Sequence, residues 1–266
     1  MKKVAILLIL VSFAISSCTK VPVTGRRQLQ LLPESQMLQM SLAQYQGFLD
    51  ENNVVNSGDD AAMVKRTGNR IANAATSYLK AKKQLKRVKG FNWEFNLVDD
   101  DVANAWCMPG GKVVFYTGIL PITKNETGLA VVMGHEVAHA IARHGNERMS
   151  QGLMAQLGGV GLAVALSQKP QQTQAIFNQA YGLGAGLSML KFSRKHESEA
   201  DKMGLIFMAM AGYNPQEATR FWERMKQASG GQAPPQFLST HPSHDTRIND
   251  LQKFMPTAMK YYAGKR

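Results

Sequence analysis

The sequence predicts an α+β fold, mainly helical, with a small antiparallel sheet or hairpin packed beside one central helix. Three observations predict it. Apolar residues recur at helical spacing along most of the chain, residues 91–98 alternate as a half-buried strand does with a second strand at 112–117, and the apolar helical run at 129–141 carries His135-Glu136-Val137-Ala138-His139.

The chain opens on Met1, Lys2 and Lys3, followed by an apolar stretch at 4–15 that is short for a bilayer span. Residues 1–17 therefore read as a secretion signal. Ile15-Ser16-Ser17-Cys18 resembles a bacterial lipobox, which makes Cys18 the expected lipidation site and first mature residue. Residues 18–33 read as a lipid-anchored tether and 34–266 as a single domain. The net charge of +12 falls to +10 once Lys2 and Lys3 are removed, which suits a protein held beside anionic head groups. No basic run interleaved with aromatics is present, so nucleic-acid binding is excluded as an expectation. With Cys18 lipidated, Cys107 has no disulfide partner and reads as a small buried hydrophobe.

Met37, Leu38, Leu42, Tyr45 and Phe48 predict a first helix over 34–49. Met63, Val64, Ile71, Ala74, Ala75, Tyr78 and Leu79 predict a second over 61–85, with the cationic segment 80–89 as solvated surface. Residues 91–98 and 112–117 read as two antiparallel strands, with a turn at Pro109-Gly110-Gly111. Gly111, Lys112, Val113 and Val114 are expected on a free edge, where an extended peptide can add as a further strand without sequence readout. Thr123-Lys124-Asn125-Glu126 reads as the capping box of the central helix, and Arg143, His144 and Gly145 as its end. Residues 149–168 and 170–190 lack charge, but glycines and glutamines interrupt them, so a helical hairpin on the domain is expected rather than membrane spans. Further helices are expected from Ser193 to about Ala211, after Asn214-Pro215-Gln216-Glu217, and through Ile248, Leu251 and Phe254.

Two histidines four apart on a helix project to one side and can share a metal ion. Zinc takes neutral imidazole without imposing a geometry and brings the pKa of bound water towards neutrality, and Glu136 is placed to take that proton. A catalytic zinc needs a third protein ligand. Gly145 stands where the extended H-E-x-x-H-x-x-G-x-x-H pattern would need a histidine, so the ligand comes from elsewhere. Glu197 is the best candidate: it shares a helix face with Ala200, Asp201 and Gly204, whose small residues allow close approach. Asp201 can then accept the free N–H of a ligating histidine. Glu199 faces the other way and reads as solvated, and His144 as surface or a group behind the ligands.

His135 through His139, Glu197-Ser198-Glu199-Ala200-Asp201, and His241-Pro242 with Arg247 resemble the zinc peptidases that include HtpX and the CaaX prenyl endopeptidases. The lipobox, Pro22-Val23-Thr24-Gly25-Arg26-Arg27, and Asn104-Ala105-Trp106 through Pro109-Gly110-Gly111 are closer to that family's envelope lipoprotein branch, with LoiP and BepA. The resemblance implies a gluzincin endopeptidase holding one Zn2+ through His135, His139 and Glu197, with Glu136 catalytic and His241 and Arg247 also assigned to the site. It implies unfolded or misassembled envelope polypeptides as substrates; with Cys18 as the lipid anchor facing the periplasm, Thr19 after it gives no inner-membrane retention signal of the aspartate kind, so the outer membrane is expected. Partner docking through a carboxy-terminal repeat array of the BepA kind is not expected. A chaperone or assembly factor with latent proteolysis is the alternative.

Overall fold

A computed structural model describes residues 18–157, 171, 173–175, 177, 192–230, 235–242 and 246–263. The expected signal segment 1–17 lies outside the described residues, as does most of the expected second half of the helical hairpin.

The described elements run β1 (Cys18–Lys20), β2 (Arg27–Leu29), α1 (Glu34–Glu51), β3 (Val54–Val55), α2 (Asp59–Ala81), β4 (Glu94–Val98), β5 (Ala105–Met108) and β6 (Lys112–Tyr116). They continue as α3 (Glu126–Ala142), α4 (His144–Leu157), α5 (Arg194–Met210), α6 (Glu217–Ser229) and α7 (Arg247–Ala263). Single-turn helices occupy Leu120–Thr123 and Phe237–Thr240. The fold is mainly helical, as expected. Among the described residues no helix is long and apolar enough to cross a membrane.

Strand order in the larger sheet is β3-β4-β6-β5. β4 and β6 pair in parallel, with Phe95 opposite Val113, and β5 pairs antiparallel with β6, with Cys107 opposite Val113. The two strands expected as antiparallel neighbours are therefore parallel ones. β6 carries ladders on both sides, so Lys112, Val113 and Val114, with Gly111 before them, do not form the free edge. Its five residues are all buried, as for a strand covered on both faces. The edges are β3 and, on the side of β6, β5, whose Ala105-Trp106-Cys107-Met108 pairs on one side only among the described residues.

Residues 18–33 are no tether. β1 and β2 form an antiparallel hairpin with Cys18 opposite Leu29, docked on the carboxyl end of α3. Gln28, 2% exposed, donates from Nε2 to Ala142 O at 2.8 Å. Arg87, placed by composition on a solvated surface, is instead buried and donates to Ile141 O at 3.1 Å and to Lys20 O. Burial lowers its pKa to about 10, and Ile141 O is one of the carbonyls that a helix end leaves unsatisfied.

α3 is the central element, packed on α2, on β5 and most extensively on α5, which α7 covers in turn. Its N-cap is Asn125, whose side chain accepts from Thr127 N and Gly128 N at 3.0 Å each; Thr123, expected to cap, bonds Leu120 O instead. Its end is Arg143 in the left-handed region at φ 60°, two residues before the expected Gly145, and α4 begins at once.

Candidate metal centre

His135 and His139 lie one turn apart on α3, 2% exposed each. Their Nε2 atoms are 3.0 Å from one another. α5 is capped by Ser193 and carries Glu197 in its first turn, fully buried, with Oε2 3.4 Å from His135 Nε2 and Oε1 3.3 Å from His139 Nε2. Gly134 and Gly204 let the two helix backbones meet, since a Cβ on Gly134 would stand 3.0 Å from Gly204 O. Gly204, on the same face of α5 as Glu197, thus lets α5 approach α3 closely.

Asp201 follows one turn after Glu197, and its Oδ1 accepts from His135 Nδ1 at 2.9 Å. An ionised carboxylate only accepts, so the proton sits on Nδ1 and the lone pair on Nε2. His139 Nδ1 meets His144 Nδ1 at 2.9 Å, and His144 Nε2 meets Glu199 Oε2 at 3.1 Å. The same logic puts the His144 proton on Nε2, makes its Nδ1 an acceptor, and leaves the lone pair of His139 on Nε2. Two lone pairs then converge beside a buried carboxylate.

Such a group needs a cation. His241 Nδ1 joins it, 3.1 Å from Glu197 Oε1 and 3.2 Å from His135 Nε2, and one ligand atom from each of His135, His139, Glu197 and His241 lies within 4.8 Å of the others. Three imidazole nitrogens and one carboxylate suit Zn2+. Charge points the same way. Burial lowers the pKa of His135, yet Glu197 and Asp201 outweigh it and raise it to about 9. Burial alone would raise Glu197, but His241 and Arg247 hold it well below the usual carboxylate range.

Glu136 is buried beside this cluster, with Oε1 lacking any hydrogen-bond partner and 3.4 Å from His241 Nε2. Burial raises its pKa, partly offset by His241 and His135. Arg247 donates to Glu197 Oε2 at 2.9 Å and Asp201 Oδ1 at 2.8 Å while its guanidinium lies 3.3 Å over the Trp222 ring. It is 1% exposed. It braces two carboxylates. Met37, Cys107, Pro109, His139 and Phe192 line a small pocket, to which β5 contributes Cys107 beside His139.

One expectation changes here. Glu199 is not solvated: α4 and the hairpin cover its side of α5, where it bonds His144, Thr24 and Arg26. His144 takes the second of its two expected places: it is fully buried behind His139, because the left-handed Arg143 resets the helix phase. The hydrogen-bond partners Arg26 and Glu147 were not singled out as site residues, although Arg26 stands within a motif that was.

Among proteins similar to this chain, the mitochondrial metalloendopeptidase OMA1 of Saccharomyces cerevisiae is 39% identical over 180 residues, covering 65% of this chain and 50% of that protein. The mitochondrial metalloendopeptidase OMA1 of Homo sapiens is 29% identical over 90% of this chain and 46% of its own length. The beta-barrel assembly-enhancing protease of Escherichia coli is 29% identical over 60% and 34%. The chain thus spans half or less of the length of these relatives. The expected lipid-anchored outer-membrane location is corrected by them, since proteins named as mitochondrial match at higher identity or over more of the chain than the bacterial one. The narrower HtpX and CaaX grouping is not what these relatives single out. The pattern of Peptidase family M48 matches residues 60–255, taking in α3, α5 and the arginine of α7, and the chain belongs to that family.

Proposed function

We propose that this chain is a zinc-dependent endopeptidase that cuts unfolded or misassembled polypeptides, held as extended strands along β5. The observation that carries this is the buried Glu136 carboxylate, whose Oε1 lacks a hydrogen-bond partner, beside a four-donor cluster on a helix that packs against the edge strand β5.

Zinc, when bound, supplies a Lewis acid and lowers the cost of deprotonating water. The protein does the rest. Asp201 and His144 fix the tautomers that aim His135 and His139 at one point. Glu136, made more basic by burial, takes the proton of the attacking water and returns it to the leaving amine. The free side of β5 offers alternating N–H and C=O groups to a peptide backbone, which selects for extended chain and not for sequence.

A second reading is favoured by His241, whose position among the donors would hold the cluster in a resting state. In that case the chain binds unfolded polypeptides and cleaves only once His241 moves. Glu136→Gln decides between cleavage and binding as the main activity. The expected outcome is zinc retained at one per chain, unfolded casein still bound, and cleavage abolished; cleavage persisting at the wild-type rate would overturn the assignment of Glu136.

A further inference from the structure

Each ligand histidine is backed by a carboxylate that an arginine holds. For His135 the chain is short: Asp201, then Arg247. For His139 it is longer and leaves the helical core. His139 Nδ1 reaches His144 at 2.9 Å, His144 reaches Glu199 at 3.1 Å, and Glu199 accepts from Arg26 Nε at 2.8 Å and Nη2 at 2.9 Å. Thr24 Oγ1 adds a fourth bond to that carboxylate at 2.8 Å.

Arg26 also takes both oxygens of Glu147 at 2.7 Å, and Glu147 Oε2 accepts from His196 Nε2 at 3.0 Å. One guanidinium therefore spans two carboxylates, each with a side chain 6% exposed, whereas its own is 26% exposed. Arg26 belongs to the turn between β1 and β2, and α4 and α5 supply the two glutamates. This is a fork contact that a lysine cannot reproduce.

We infer that Arg26 is a positioning residue for the metal ligand His139, acting through Glu199 and His144, so that docking of the β1–β2 hairpin completes the metal centre. The physical link is the tautomer chain. Glu199 must accept for His144 to present an unprotonated Nδ1, and His144 must do so for His139 to keep its lone pair on Nε2. Without Arg26, two buried carboxylates face each other with no shared cation, and Glu199 is free to leave His144. His144 can then turn Nδ1–H towards His139, and that arrangement favours the His139 tautomer that cannot bind metal.

This inference rests on the zinc reading above, and the test separates the two. Zinc-loaded wild type, Arg26→Ala, Arg26→Lys and the exposed-neighbour control Arg27→Ala are mixed with excess chromophoric chelator, and zinc release is timed. Release is expected to quicken by about tenfold to a hundredfold in Arg26→Ala and Arg26→Lys and to stay at the wild-type rate in Arg27→Ala. The absorption bands of Co2+-substituted Arg26→Lys should also shift. In the double variant with His144→Phe, removing Arg26 should add little, because the chain is already cut. Equal release from wild type and both Arg26 variants, or full additivity with His144→Phe, would overturn the inference. Wild type binding no zinc would instead defeat the zinc reading itself. Should Arg26→Ala fail to fold, Arg26→Lys, which keeps the charge, carries the test.

Discussion

Gly204 meets Gly134 where α5 crosses α3: a Cβ on Gly204 would stand 3.0 Å from the Gly134 carbonyl carbon and 3.0 Å from the His135 amide nitrogen. Both neighbours are helix backbone and cannot swing aside. Alanine in a helix is favoured over glycine by about 1 kcal/mol, so an open site would be stabilised by the change. Overpacking of this kind costs about 1–3 kcal/mol, and it pushes Glu197 away from the histidines. Gly204→Ala is expected to lower the melting temperature and weaken zinc binding. Gly47→Ala, on an exposed face of α1 with nothing within 4 Å, should raise the melting temperature. Thermal melts with and without zinc compare the two, and a stabilised Gly204→Ala would refute the close-contact account.

Arg247 reaches Glu197 and Asp201 with two different nitrogens, which an ammonium group cannot do from one position. Arg247→Lys is therefore expected to weaken zinc affinity by about tenfold to a hundredfold. At saturating zinc its kcat should stay near wild type, because the guanidinium sits behind the ligands. An oxyanion-stabilising role predicts the reverse, with affinity intact and kcat reduced by about a hundredfold or more. Zinc titration followed by kinetics at full occupancy separates them.

His135, Glu136 and His139 were legible because helical spacing alone fixes their relation, and Asp201 because it lies one turn from Glu197. Strand partnership was not. Alternation at 91–98 and the β-rich run at 112–117 mark two strands but say nothing of β5 pairing on the far side of β6. The consecutive Val113, Val114 and Phe115 did carry a signal, since an unbroken apolar run suits a strand buried on both faces. Glu199 was misread because one covered helix face was assumed, and α5 is covered on two. The hairpin at 18–33 escaped because its strands have three residues each, too few for a period to register.

Glu147 links the fold to pH. Burial alone would raise its pKa, but hydrogen bonds from Arg26 and His196 outweigh burial and hold it at about 2, against an ordinary value of 4.5. Between those values the unfolded chain binds the proton and the folded one does not, so stability rises with pH across that window. The contribution is complete above 4.5 and is lost as pH falls towards 2. Glu147→Gln should be less stable than wild type at neutral pH, and the gap should narrow as the solution is acidified. Urea midpoints measured at several pH values give the result, and a gap constant with pH would dismiss the ion pair as its source.

His241 has the clearest opposing outcomes. Its ring stacks on Phe237 at 4.4 Å between centroids, lies 4.9 Å from Phe192, and places Nδ1 3.2 Å from His135 Nε2. It follows directly on the single-turn helix Phe237–Thr240, and its amide nitrogen bonds Phe237 O at 2.9 Å. Here Nδ1 takes the fourth donor position, the one a catalytic zinc site keeps open for water or substrate. A group that fills it competes with the reaction. His241→Ala is thus expected to cut casein faster per bound zinc than wild type and to be more prone to cleaving itself, with His135, His139 and Glu197 still holding the metal. Were His241 a donor to the developing oxyanion, the same change would lower kcat by about a hundredfold or more at unchanged zinc content. Were it only a packing residue between Phe237 and Phe192, stability would fall and turnover per folded molecule would not move. Steady-state kinetics at matched zinc occupancy distinguish the three, and the latch position is lost if kcat falls or stays the same.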